Sequence, residues 1–140
     1  MGLNIQKLSK KDIDDIHRLD ERFGTPWSNE LYIERLSMYP ELGYGAYHHG
    51  KLIGFVLAKR LPSGDLVISR IVVDKKFEGK GIATKLMRRI DTKRKRNIHS
   101  TVRIGNERSI NLHKRSGFRT LSDDFYTFKD GEKGLKFIKG

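Results

Sequence analysis

Cysteine is missing from the 140 residues, and proline and tryptophan are scarce at three and one. Without cysteine there is no disulfide framework, no thiolate metal site and no thiol nucleophile. Acid is short as well: 17 Asp and Glu stand against 29 Lys and Arg, a formal charge of +12. That sign favours anionic partners, whether nucleic acid, a phosphorylated cofactor, an acidic peptide or a membrane surface, and it equally suits a plain solvated surface. No apolar run approaches the ~18 residues of a membrane span. The start is not a signal peptide, because charge interrupts it from Lys7 onward, and Gln6 stands where a myristoylation sequence wants Ser or Thr. The histidines His17, His48, His49, His99 and His113 never fall at His-x-x-x-His spacing, so no metal is expected. A cytoplasmic protein without membrane contact is the expectation.

What is present reads as one domain over residues 1–140, with no linker and no repeat. "LNIQKL" is a short strand. "SKKDIDDIHRLDERF" offers Ser9 as helix cap and sets Ile13, Ile16, Leu19 and Phe23 on one face. "GTPW" breaks the chain, and Ser28 caps a second helix that ends before Pro40. Two strands then meet at a tight His49-Gly50 turn, and a third, "LVISRIVV", follows; the last two are apolar on both faces and lie in a covered sheet. A helix from Ile82 stripes Ile82, Leu86, Met87 and Ile90; "STVRI" is a strand, "NERSINLHKRSG" a capped helix, and the tail a hairpin around Asp130-Gly131. The order β-α-α-β-β-β-α-β-α-β-β makes an α/β fold, a mixed and mostly antiparallel central sheet flanked by about four helices.

Glycines and lysines crowd the junction between the third of these strands and its helix, "VVDKKFEGKGIATKLM". A helix start presents unpaired amides and a positive dipole end, and glycines let main chain approach a ligand closely, which together suit a phosphate or diphosphate. A flexible strand–helix turn would use glycine in the same way. The Gly-x-x-x-x-Gly-Lys-Ser/Thr loop is absent, and so is Gly-x-Gly-x-x-Gly after the first strand.

Taken with "NERSINLHKRSGF", this stretch resembles the GNAT N-acetyltransferase superfamily. Gly81 and Ala83 match its helix-opening motif, and Asn106, Ser109, Leu112, Gly117 and Phe118 match its second motif. "PWSNELY", "TVRIGN" and "FYTFKDGEKGLKFI" resemble the ribosomal-protein-alanine N-acetyltransferases within it. The resemblance implies a GNAT fold and acetyl-CoA as co-substrate. Main chain of Ile71, Val72 and Val73 would hold the pantetheine and thioester. Amides of Gly79, Lys80, Gly81, Ile82, Ala83 and Thr84 would hold the diphosphate, and Asn106 the cofactor arm, unless it only caps its helix. Trp27 and Tyr126 would line the acceptor pocket or pack in the core.

Three positions depart from the family. Glu78 replaces Arg or Gln and is expected to face solvent, since a carboxylate beside a diphosphate is unfavourable. Thr101 replaces the glutamate base of the ribosomal-protein subgroup. His113 replaces the tyrosine that protonates the departing thiolate, and is either the general acid or a surface residue. Loss of a base hurts lysine acceptors most: at pH 7.4 roughly a fifth of an N-terminal amine is neutral, against about 0.1% of lysine. The expected activity is acetyl transfer by direct attack of a primary amine, foremost a protein N-terminal α-amine. The alternatives are a small-molecule amine acetyltransferase and a non-catalytic module holding nucleic acid or a ribosome through its charge.

Overall fold

The computed structural model of the chain describes residues 2–24 and 26–140, and the side chains of these except 122–124. Thr25, inside the expected "GTPW" break, lies outside the described residues. Seven strands and four α-helices follow in the expected order: β1 Leu3–Lys7, α1 Ile13–Glu21, α2 Asn29–Met38, β2 Gly43–His48, β3 Lys51–Arg60, β4 Leu66–Val73, α3 Ile82–Asp91, β5 Ile98–Arg103, α4 Glu107–Arg115, β6 Arg119–Thr127 and β7 Lys133–Lys139. They fall into two compact units, residues 1–59 with 69–93, and residues 60–68 with 94–140.

In the first unit the strand order is β1-β2-β3-β4. β1 and β2 pair antiparallel, as do β2 and β3. His49 and Gly50 both take positive φ, 51° and 78°, which is what a two-residue turn between right-twisted strands demands. Seven consecutive residues of β3, Leu52 to Ala58, are buried, as its two-sided apolar run requires. β4 is different: Leu66, Ile68 and Val72 are buried, but Ser69, Arg70, Ile71 and Val73 are only half-buried. Ile13, Ile16 and Leu19 of α1 join Tyr32, Leu36, Leu52, Phe55 and Val72 in one core cluster. Phe23 does not join them and is 54% exposed. The helix closes at Glu21 and tightens into a Phe23 N–H to Asp20 carbonyl bond of 3.0 Å, which takes Phe23 out of the 3.6-residue phase. The stripe Ile82, Leu86, Met87 and Ile90 of α3 is buried as expected.

The second unit orders its strands β4-β5-β7-β6. The β4–β5 ladder is parallel and covers only Leu66↔Ile98 and Val67↔His99. β5 with β7, and β6 with β7, are antiparallel. Leu112, Phe118 and Phe137 form its buried centre together with Ile98 and Val102.

Candidate active site

The first unit carries the glycine-rich junction between β4 and α3. Asp74, 4% exposed, closes β4: its N–H donates to the Ile53 carbonyl at 2.7 Å and its carboxylate accepts the Lys76 N–H at 3.1 Å. Arg22 reaches the same carboxylate at 3.4 Å. These bonds fix one 3-10 turn, Lys75–Phe77, and hand the chain to Gly79 and Gly81 at φ 77° and 78°, where any side chain would be strained. A Cβ at either glycine would meet nothing within 4 Å, so the space beside the loop is open. Gly81 is the N-cap of α3 and has no side chain to fill the cap; the first amide that the helix satisfies is that of Lys85, donating to the Gly81 carbonyl at 3.1 Å. Amides 82–84 thus point outward at the positive end of the helix. Lys75, Lys76, Lys80 and Lys85 are all exposed around them. Glu78 departs from expectation, being half-buried and engaged rather than turned to solvent. Immediately upstream, the ladder from β4 to β5 ends at Val67, which leaves one main-chain edge of Ile71–Val73 without a strand partner among the described residues.

Trp27 is in the same unit, half-buried against the core. Its indole lies 5.7 Å from the Tyr32 ring, and the guanidinium carbons of Arg35 and Arg70 stand 5.0 and 5.2 Å from it. Tyr32 donates its hydroxyl to buried Asp20 and accepts the Trp27 N–H at 3.2 Å. Burial first, then the Asp20 carboxylate, push the Tyr32 phenol well above its ordinary range, so it stays a donor. Arg70 closes the chain with Nε 3.5 Å from Asp20. Asp20, Arg35 and Arg70 were missed by sequence reasoning, because their meeting depends on residues 15 to 50 positions apart.

The second unit holds Asn106, His113 and Tyr126. Asn106 is exposed and caps α4, its Oδ1 accepting the Ser109 N–H at 3.1 Å. Tyr126 is 45% exposed, with its ring 4.9 Å from that of Phe128. His113 is not the surface residue that was one of its two expected readings: it is 1% exposed, wedged against Phe118 and Phe137. Nδ1 donates to the Ser109 carbonyl at 2.7 Å, so in the neutral ring Nε2 accepts from the Ser100 hydroxyl, also at 2.7 Å. Burial lowers its pKa, and both ring nitrogens are engaged within the protein. A cavity of about 250 Å³ also lies in this unit, lined by Val67, His99, Thr101, Leu121 and Phe137 among others. His99 Nε2 donates to Asp65 at 2.8 Å, a bond that is the largest cause holding the Asp65 carboxyl below the usual range. The sequence offered one signal for His99, its place two residues before Thr101 on the same strand face.

The acetyltransferase (GNAT) family pattern matches residues 11–118. The chain belongs to the GNAT family. It is therefore a member of a family of N-acetyltransferases, and its mixed sheet with four helices is the GNAT fold. An uncharacterized N-acetyltransferase of Methanocaldococcus jannaschii is 29% identical over 141 residues, spanning 96% of this chain and 90% of that protein. N-alpha-acetyltransferase 30 of Schizosaccharomyces pombe is 24% identical over 145 residues, spanning 97% of each. Among solved structures, the NatC complex bound to Gag peptide and CoA superposes with a TM-score of 0.88 at 23% identity, covering 99% of this chain and 98% of that one. The ribosomal-protein-S18-alanine N-acetyltransferase of Escherichia coli, the subgroup named from the sequence motifs, has a TM-score of 0.81 at 20% identity, covering 97% and 92%. Among the described residues, no helix of this GNAT chain is long and apolar enough to cross a membrane.

Proposed function

We propose that this GNAT protein transfers the acetyl group of acetyl-CoA to the α-amine of a protein or peptide N-terminus. The observation that carries the reading is the uncapped start of α3, with two positive-φ glycines and open space beside them directly after β4. Amides of Gly79 to Thr84 bind the diphosphate there, and the unpaired edge of Ile71–Val73 holds the pantetheine and thioester. The neutral amine attacks the thioester carbonyl carbon, the C–S bond breaks, coenzyme A leaves as the thiol or thiolate, and the new amide nitrogen gives its proton to water. Asn106 toward the cofactor arm, with Trp27 and Tyr126 toward the acceptor, are part of the proposal as the family resemblance assigns them. The N-terminal acceptor draws support from a relative named as an N-alpha-acetyltransferase and a structural neighbour bound to peptide and CoA. The test is thiol release from acetyl-CoA with peptides, polyamines and aminoglycosides side by side. Peptide-dependent release and a 42 Da gain at the peptide N-terminus are expected. Release with polyamines alone would transfer the reading to a small-molecule enzyme.

A further inference from the structure

Just upstream of the β4 edge proposed to hold the cofactor, two guanidinium groups lie against the ring of Trp27. Ser69 and Arg70 immediately precede Ile71–Val73 on β4, and Ser69 to Val73 spans only about 13 Å of strand. Arg35 of α2 donates NH1 to the Ser69 hydroxyl at 3.1 Å and lies over Trp27. Arg70, on the neighbouring residue, lies against the same indole. The two cations differ in how they are answered. Arg70 is set against buried Asp20, which is 2% exposed and also receives the Tyr32 hydroxyl. Arg35 is half-buried and meets a neutral hydroxyl and an aromatic face; no carboxylate among the described residues pairs with it. A guanidinium has five N–H donors in a planar fork that matches a carboxylate, and one bond to Ser69 leaves most of them open. The indole holds that fork in place at little entropic cost, since cation–π stacking fixes its plane.

We propose that Arg35, braced on Trp27 and Ser69, is a specificity residue that binds a carboxylate of the acceptor, so that acceptors with an acidic group near the reacting amine are preferred. This rests on the proposed acetyl transfer and names its substrate class. In a peptide the carboxylate is an Asp or Glu side chain at the first or second residue. In a free amino acid it is the α-carboxylate. The chemistry at Arg35 is the same, and the favoured source is the peptide, because the acceptor is read as a protein N-terminus.

The protein supplies its own reporter, since Trp27 is the only tryptophan. Trp-free pentapeptides that differ only by Glu or Gln at position one or two are titrated into the full chain, with free glutamate as a separate arm, while Trp27 fluorescence is followed. In parallel, KM and kcat for acetylation are measured with the same peptides. The expected result is binding of the Glu peptides about fivefold tighter than their Gln partners, carried by KM and not kcat. In Arg35→Gln the preference should vanish; in Arg35→Lys, which keeps the charge but loses the fork, part of it should return. A melting curve for each variant confirms folding, and neither variant strands a buried carboxylate, as a change at Arg70 would. Equal binding of Glu and Gln peptides by the parent, or a preference that survives Arg35→Gln, overturns the proposal. A preference seen with free glutamate alone moves the carboxylate to a small molecule and overturns the peptide form. If Trp27 distinguishes Glu from Gln but no peptide is acetylated, the acetyl-transfer reading fails and the carboxylate subsite stands.

Discussion

His113 shows how one residue is settled by its neighbours. In the folded chain it is neutral, bonded at both nitrogens, and packed between two phenylalanines and two serines, with no charged group among its bonded partners. Its folded pKa lies below the unfolded value of ~6.5, so the unfolded state binds more protons as the medium is acidified. The stability that depends on a neutral His113 is therefore complete above about pH 6.5 and is lost as pH falls from there toward the folded value, by at most about 1.4 kcal/mol per pH unit. Urea unfolding of the parent and His113→Gln at pH 7.5 and 5.5 checks this. The expected signal is a smaller acid loss in the variant than in the parent. The acetylation rate of His113→Phe, where folded, is expected to stay within a few-fold of the parent, against the hundredfold or greater loss that removal of a positioned acid brings. From the sequence, a histidine at the family's tyrosine position reads either as an acid or as a surface residue. Its burial depends on Ser100 of β5 and Phe137 of β7, strands distant from it in sequence, and no local pattern reports that.

At the scale of elements, the junction from β4 to α3 gives two separable predictions. Gly81→Ala places a Cβ in open space, so its cost to the free protein is the backbone strain of the left-handed conformation, roughly 1–2 kcal/mol. In the proposed binding mode the diphosphate takes up that same space. The loss of acetyl-CoA affinity by calorimetry should therefore exceed tenfold, beyond what the melting shift alone reports. Asp74→Ala removes a capping acceptor and the partner of Arg22, and should cost about 1–2 kcal/mol in urea unfolding, with Asp74→Asn milder because its amide oxygen still caps Lys76. The elements themselves were largely readable. A run apolar on both faces located β3 and a 3.6-residue stripe located α3, and the caps at Ser28 and Asn106 hold as hydrogen bonds. The glycine motif located the uncapped, positive-φ start of α3 for the same reason, since that geometry is in the main chain and local in sequence. Glu78 and Phe23 were misplaced because each depends on how a helix or turn ends, and periodicity alone does not fix an end. The Asp20–Tyr32–Trp27–Arg35–Arg70 cluster was out of reach altogether: α1, α2 and β4 must fold before these side chains meet.

For the whole molecule, charge and cooperativity make the test. β4 contributes residues to both compact units, and the family match from 11 to 118 runs through both, so the chain is expected to unfold as the single domain read from its sequence. One calorimetric transition, with matching calorimetric and van't Hoff enthalpies, is the expected outcome; two resolved transitions would contradict it. Acetyl-CoA binds only the folded chain, so a hundredfold excess over Kd adds about 2.7 kcal/mol and raises Tm by about 8 °C or more. Pantetheine, which lacks the diphosphate, should produce little of that shift if the amides of residues 79–84 are the principal grip. The +12 charge adds a long-range attraction that salt removes, because the screening length falls from about 10 Å at 0.1 M to about 3 Å at 1 M. A shift that weakens with salt yet persists at 1 M separates the short-range amide cradle from the general cationic field. A shift abolished by salt and equal for any polyanion would assign the binding to surface charge alone, and the helix terminus would then have no special part in it.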